Sequence, residues 1–250
     1  MKISEELKHF LESRDIQKLL NSYDFEELYK KLLQMNTAKD IGTFTALMYE
    51  IDVDPLLYLD KVPRYFLYDQ SNIPNIKIPD NIKYINKYAF YKCSSLTDVV
   101  VPDSVISIGN LAFSECIGLK TVTLPSGMTS IGVGTFYNCS SLASITIPNK
   151  VTSIGDSAFE NCASLTSIAI PDSVNSIGIQ AFYNCDRLTS ITIGTGVTSI
   201  DRNVLDECEK LEAINYRGTK ERWRAIHKDK QWKNNSTIKV VHCTDGDIKL

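Results

Sequence analysis

From residue 78 to residue 215, apolar residues return at the same offsets every 23 positions, with no insertion to break the register. Copies begin at Ile78, Val101, Leu124, Ile147, Ile170 and Ile193. The fourth holds Ile147, Val151, Ile154, Ala158, Phe159, Cys162, Leu165 and Ile168 as its apolar set. A fixed period in the twenties with Leu-x-x-Ile-x-Ile inside it is the signature of a solenoid. The spacing Leu165-x-x-Ile168-x-Ile170 places Ile168 and Ile170 on one side of a strand, because strand side chains alternate. Pro171 has no amide to donate and ends that strand. Val151-Thr-Ser-Ile154 reads as a second short extended segment. Gly155 permits a turn, and residues 157–162 suit one turn of tight helix. Three short sides per coil close a flattened triangle with the apolar residues inside. One coil cannot bury that set alone, so neighbours must stack. The strand pattern already fits Ile73-x-x-Ile76-x-Ile78 and last fits Leu211-x-x-Ile214-x-Tyr216, which predicts seven main strands.

The repeated string Ile-Pro-x-x-Val-x-x-Ile-Gly-x-x-Ala-Phe-x-x-Cys-x-x-Leu-x-x-Ile resembles BspA-type leucine-rich repeats, over about 140 residues of the chain. The tail resembles the ending common in that family, with Tyr216-Arg-Gly-Thr219, Trp223 and Val241-His-Cys243-Thr-Asp-Gly246, and extends the likeness to about 170 residues. The resemblance implies a right-handed leucine-rich-repeat solenoid of bacterial or phage type. It also implies surface or interaction proteins with varied partners, because fold alone does not fix function.

The flanks follow a different period. Leu7, Phe10 and Leu11 sit at helical spacing, as do Ile16, Leu19 and Leu20. Asp24-x-x-Glu27 is a capping-box-like start that opens the stripe Phe25, Leu28, Tyr29, Leu32 and Leu33. Phe44, Leu47, Met48 and Ile51 form another stripe. Asp54-Pro55 starts a short helix over residues 55–59, and Pro63 ends or turns it. About four helices are expected, covering a coil end that would otherwise leave apolar side chains and strand edges in water. The organisation is therefore an α/β repeat protein: a helical bundle over residues 1–72, the solenoid over 73–215, and a C-terminal cap over 216–250. The cap should hold a helix at 220–226, with Trp223 and Ile226 on one face, and a strand at 237–243. Residues 71–75 form the hinge.

Composition adds exclusions. A hydrophobic content of 43% and a charged fraction of 23% are those of an ordinary globular protein. The net charge of −3 gives no global basic field for nucleic acid. Residues 216–250 are locally basic, with nine Lys or Arg against four Asp or Glu, so nucleic acid would be met only there. No apolar run approaches the ~18–20 residues that cross a bilayer, so no membrane partner is expected. The start Met1-Lys-Ile-Ser-Glu-Glu-Leu-Lys has no apolar leader core, which predicts a cytoplasmic protein, with the cell surface as the alternative.

Six of the seven cysteines, Cys93, Cys116, Cys139, Cys162, Cys185 and Cys208, recur once per coil. They read as a column of buried thiols acting as small hydrophobes. Zinc needs four converging ligands, which such a ladder does not supply. Cys243 lies outside the column. His9, His227 and His242 fall in no catalytic signature, and Asp245-Gly-Asp247 falls short of a calcium loop. No cofactor, metal or enzymatic activity is expected.

Recognition is more legible than chemistry. Nine of the twelve tyrosines lie between Tyr23 and Tyr91. Tyr58, Tyr65, Tyr68, Tyr84, Tyr88 and Tyr91 crowd the junction of bundle and first coil. Tyr137 and Tyr183 follow the core phenylalanine in alternate coils with Tyr91 and should be exposed on the turn edge. Tyrosine is favoured at interfaces for its large area and polar tip. The outward strand positions, such as Thr121, Thr123, Ser144 and Thr146, are small and uncharged and offer no anchor. These features predict a non-enzymatic protein–protein interaction module acting inside a bacterial cell. By analogy, it would be a phage-encoded binder and inhibitor of a host defence protein, like an anti-CRISPR. The alternative is a surface adhesin of BspA type that binds host matrix proteins.

Overall fold

The computed structural model describes residues 4–34, 37–50 and 53–250. Four helices open the chain: α1 (Glu5–Glu12), α2 (Arg14–Ser22), α3 (Phe25–Leu33) and α4 (Ala38–Glu50). Ser4, Ser13 and Asp24 cap the first three by accepting from the amides of Leu7, Ile16 and Glu27, at 3.0, 3.4 and 3.2 Å. Such caps satisfy amides that a helix start leaves unpaired. Helix α3 buries Phe25, Leu28, Tyr29 and Leu32, whereas Leu33 is 41% exposed, so the buried face is narrower than the sequence stripe. Ile51 lies outside the described residues. The expected short helix is a 3₁₀ turn at Pro55–Tyr58, capped by Asp54.

Helix α4 is buried on most sides, through Ile41, Gly42, Thr43, Phe44, Thr45, Ala46 and Met48. Thr45 donates to the Ile41 carbonyl at 3.0 Å and accepts from the Tyr29 hydroxyl at 2.6 Å. Gly42 lies against the backbone of Tyr68, where any Cβ would collide with the carbonyl oxygen. The helix therefore rests directly on the start of the solenoid.

The solenoid begins ahead of the obvious repeats. Residues 61–70, which the sequence pattern groups with the helices, already have coil geometry. Lys61–Val62 pairs in parallel with Tyr84–Ile85. Tyr65 and Asp69 are left-handed at φ 63° and 59°, as are Tyr88 and Lys92 one repeat later at 61° and 61°. The second side of each coil continues through Ser107–Ile108, Ser130–Ile131, Ser153–Ile154, Ser176–Ile177, Ser199–Ile200 and His227–Lys228. This makes about eight coils of some 23 residues.

On the first side, Asn75–Lys77, Asp98–Val100 and Thr121–Thr123 form one parallel sheet. Ser167–Ile170, Ser190–Ile193, Ala213–Tyr216 and Val240–Cys243 form another, closed by an antiparallel partner at Gly246–Lys249. The seven-strand ladder is thus interrupted. Residues 144–146 join neither sheet, and their coil is held by longer bonds, Ala143 N to Lys120 O at 3.4 Å and Thr166 N to Ala143 O at 3.3 Å. Beside this break, Met128 is buried where Val105, Val151, Val174 and Val197 stand in other coils, so this turn encloses a longer side chain.

The third side is not the expected tight helix. Residues 157–162 form turns with Ser157 and Asn161 left-handed, at φ 53° and 59°. The amides alternate in direction. Ala158, Glu160 and Cys162 donate back within the turn, at 3.3, 3.3 and 3.2 Å, while Ser157, Phe159 and Asn161 donate to Ile179, Ala181 and Tyr183 of the next coil, at 2.8, 2.8 and 2.9 Å. A helix would turn every amide inward along its own axis and leave this edge unjoined. The left-handed residues cost roughly 1–2 kcal/mol each, which the inter-coil bonds offset, and Asn tolerates that conformation better than most. Gly155 is not left-handed. Its Cβ would stand 2.8 Å from the Val133 amide of the previous coil, so glycine is needed for close approach.

Inside, Phe90, Phe113, Phe136, Phe159 and Phe182 stack at 5.0–5.8 Å between centroids. The column continues through Phe66, 6.2 Å from Phe90, to Tyr29, 5.8 Å from Phe66. Bundle and solenoid therefore share one core. At the far end, α5 (Lys220–Ala225) buries Trp223 against Tyr216 at 5.2 Å and Trp232 at 6.0 Å. Asp245 lies in the two-residue hairpin turn after Cys243 and accepts from the Lys220 amide at 2.8 Å, while Gly246 and Asp247 open the returning strand, where Asp247 meets His242 at 2.8 Å.

Candidate functional site

The turn edge of the first two coils gathers four of the candidate tyrosines. Tyr65 and Tyr88 are the first left-handed residues of successive turns. Tyr68 and Tyr91 directly follow the buried Leu67 and Phe90. Equal offsets in stacked coils bring like residues face to face. Tyr65 stacks on Tyr88 at 5.5 Å with planes 14° apart, and Tyr68 on Tyr91 at 5.0 Å and 19°. Within each coil the rings meet edge to face, Tyr65 with Tyr68 at 5.4 Å and Tyr88 with Tyr91 at 5.6 Å. The result is a half-buried square of rings on a fixed backbone, where the Leu67 and Asp69 amides each donate to the second coil at 2.7 Å. Burial first, and then the Asp69 carboxylate, raises the Tyr68 phenol above its ordinary value; burial and then Glu115 do the same for Tyr91. Both hydroxyls therefore remain protonated donors at neutral pH.

Three cations frame the square. The Arg64 guanidinium lies 4.5 Å from the Tyr65 centroid and 5.6 Å from that of Tyr88. Lys87 Nζ lies 4.7 Å from Tyr88, and Lys92 Nζ 5.5 Å from Tyr91. Sequence reasoning missed these cations. The available signal was that Arg64 and Lys87 are 23 residues apart, each just before a tyrosine, but this shows only once residues 61–70 are laid on the repeat.

The other candidate tyrosines are placed elsewhere. Tyr58 stacks on Tyr23 at 5.3 Å over Phe25 and is 52% exposed on the bundle. Tyr84 is 44% exposed on the second side of its coil, between Lys61 and Ser107. Tyr137 and Tyr183 are half-buried rather than exposed. Their offset alternates with Ser114, Glu160 and Asp206, so each ring is flanked in the adjacent coils by smaller or carboxylate neighbours. Burial, then Glu160, raises the Tyr137 phenol, and burial, then Glu207, raises that of Tyr183.

The outward strand residues Thr121, Thr123, Ser144 and Thr146 are exposed, and beside the ladder break Thr123 and Thr146 border a shallow groove of about 490 Å³ with Leu124 and Pro148. The basic tail is partly engaged within the fold. Arg217 pairs with Asp172 at 3.9 Å, and Lys228 donates to the Trp223 and Ile226 carbonyls at 2.6 and 2.8 Å.

The thiol column has a role beyond filling space. Each repeat cysteine donates its S–H to the coil before, from Cys93 to Leu67 O at 3.0 Å through Cys162 to Phe136 O and Cys208 to Phe182 O at 3.3 and 3.1 Å. All six are buried and free. Burial pushes the Cys162 thiol up to about 12. Burial and then Asp245 raise Cys243 as well. Among the described residues no group of three or more His, Cys, Asp or Glu is placed to hold a metal, and no helix is long and apolar enough to cross a membrane.

The BspA type Leucine rich repeat region matches in six copies, over residues 60–165 and 129–224. The chain belongs to the BspA-type leucine-rich repeat family. Among solved structures it is similar to a leucine-rich repeat protein of T. pallidum, 32% identical over 61% of this chain and 75% of that one, with a TM-score of 0.52. It is also similar to a leucine-rich repeat protein of Bacteroides ovatus, 26% identical over 68% of this chain and 46% of that one, TM-score 0.52. The pneumococcal vaccine antigen PcpA, 23% identical over 69% of this chain and 42% of that one, shares the fold at a TM-score of 0.53. The chain thus spans less than half the length of the last two. No curated protein matches it at a significant level. BspA-type leucine-rich repeat chains are generally non-enzymatic binding scaffolds, and membership points to a protein-interaction module.

Proposed function

We propose that the protein is a non-enzymatic adaptor that docks a protein partner on the tyrosine square Tyr65, Tyr68, Tyr88 and Tyr91, with the remaining coils as a rigid spacer. The observation that carries this reading is the mutual stacking of the four half-buried rings beside three cations. Rings locked by one another and by inter-coil bonds lose little freedom on binding, so most of the area they bury contributes to affinity. Tyrosine and arginine are the residues that most often carry interface energy. Tyr137 and Tyr183 prolong the contact along the same edge, while Tyr58 and Tyr84 border it on other faces.

The proposed partner is a protein of the bacterial cytoplasm, and inhibition of a host defence protein by a phage-encoded copy is one form of such binding. Affinity capture tests the reading, using bacterial cytosol and, in parallel, matrix-coated surfaces. The intact chain should retain one cytosolic protein that Tyr68→Ala with Tyr91→Ala loses and Thr146→Arg keeps. Loss with Thr146→Arg alone would move the site to the strand face. Binding only to matrix would replace the cytoplasmic reading with the adhesin.

A further inference from the structure

We infer that the segment the partner lays on the tyrosine square is an acidic peptide stretch, with carboxylates spaced among apolar side chains. The inference rests on the docking reading above and adds the chemistry of what docks.

It follows from charges left without a counterpart. Arg64 and Lys87 are exposed and occupy the same offset in adjacent coils, so their like charges are neighbours. Both approach one ring, Tyr88, at 5.6 and 4.7 Å. Lys92 stands over Tyr91, on the other half of the square. Among the described residues the ion pairs are those of Lys30, Lys31, Lys61, Arg217 and His242, and none involves Arg64, Lys87 or Lys92. The nearby carboxylates Asp69 and Glu115 act on Tyr68 and Tyr91 through space without closing an ion pair on these cations. A ring quadrupole attracts a cation but leaves its charge in place. Two cations converging on one ring therefore form a site that an incoming carboxylate completes, in the fork geometry an arginine favours.

The same geometry disfavours a nucleic acid strand. Single strands bind by stacking bases on free aromatic faces. Here one face of each ring is already taken, Tyr65 and Tyr88 by each other and Tyr68 and Tyr91 by each other. The ring edges, phenol donors and cations offered to a partner suit carboxylates alternating with apolar side chains.

The test uses the full chain and a labelled peptide of four Glu-Glu-Phe repeats, its Gln-Gln-Phe counterpart, and single-stranded oligothymidine, each titrated by fluorescence anisotropy. The acidic peptide should bind, weaken with added salt, and lose at least tenfold in affinity both on Glu→Gln exchange in the peptide and in the Arg64→Glu, Lys87→Glu variant. Both substitutions are at exposed positions, and an unchanged melting curve shows that the variant is folded. Failure of the acidic peptide to bind, equal binding of the Gln peptide, or tighter binding of oligothymidine would each overturn the inference. Affinity capture separates this from the docking reading. If the charge-reversed variant keeps the partner that Tyr68→Ala with Tyr91→Ala loses, the acidic segment is wrong and the docking site stands. Capture unaffected by either variant removes both.

Discussion

Gly155 and Gly127 show how one residue type serves different needs in neighbouring coils. A methyl group at Gly155 meets the Val133 amide at 2.8 Å, whereas one at Gly127 meets nothing within 4 Å. Gly155→Ala should therefore cost about 1–3 kcal/mol, the usual range for overpacking, and Gly127→Ala should stay within about 0.5 kcal/mol of the parent. Thermal melts of the two variants check the difference, and equal melting temperatures would mean that coil spacing is not what requires glycine. The thiols carry a second prediction at this scale. The thiolate is the reactive form, and a thiol raised to about 12, as at Cys162, is protonated at pH 8. Native protein treated with iodoacetamide at pH 8 should be modified at Cys243 alone, and slowly, because that thiol is also raised. All seven cysteines should react once the chain is unfolded. Rapid native labelling of any repeat cysteine would show that the column is open. The sequence made these residues recur but not why they recur, because the reason lies one coil away: the Val133 amide for Gly155, and the Phe136 carbonyl for Cys162.

Sides and stacks behave as units in a way single positions do not. The phenylalanine column was legible as an apolar offset, and its energetic weight follows from full burial in a middle coil. Phe159→Ala should cost roughly 3–5 kcal/mol, measured by chemical denaturation; an unchanged midpoint would place Phe159 outside the core. The third side was misread because its residues fit a helical turn locally, while the left-handed Ser157 and Asn161 serve bonds to the next coil. The ladder break was likewise hidden, since Ser144-Ile-Thr146 fits the strand pattern as well as Ser190-Ile-Thr192 does. Hydrogen exchange should distinguish them: amides at 144–146 should exchange faster than those at 191–193, because protection follows ladder bonds. Equal protection would mean the two sheets are joined in solution.

At the scale of the molecule, one core runs from Tyr29 through the stacked phenylalanines to the C-terminal tryptophans. The repeats announced that core because self-similarity survives without any single residue. The joint with the bundle was harder to read. Its coil carries Leu67 and Gln70 where the next has Phe90 and Cys93, so the motif fades while the backbone repeats. That faded coil bears half of the tyrosine square and one of its cations, so the candidate site was visible as a crowd of tyrosines but not as a built surface. The central claim is that this surface, and not the strand face, receives the partner. Photocrosslinking from a benzophenone amino acid placed at position 91, and separately at position 146, tests it most directly. Adducts with the captured partner should form from position 91 and be absent from position 146. Adducts from position 146 with none from position 91 would contradict the account.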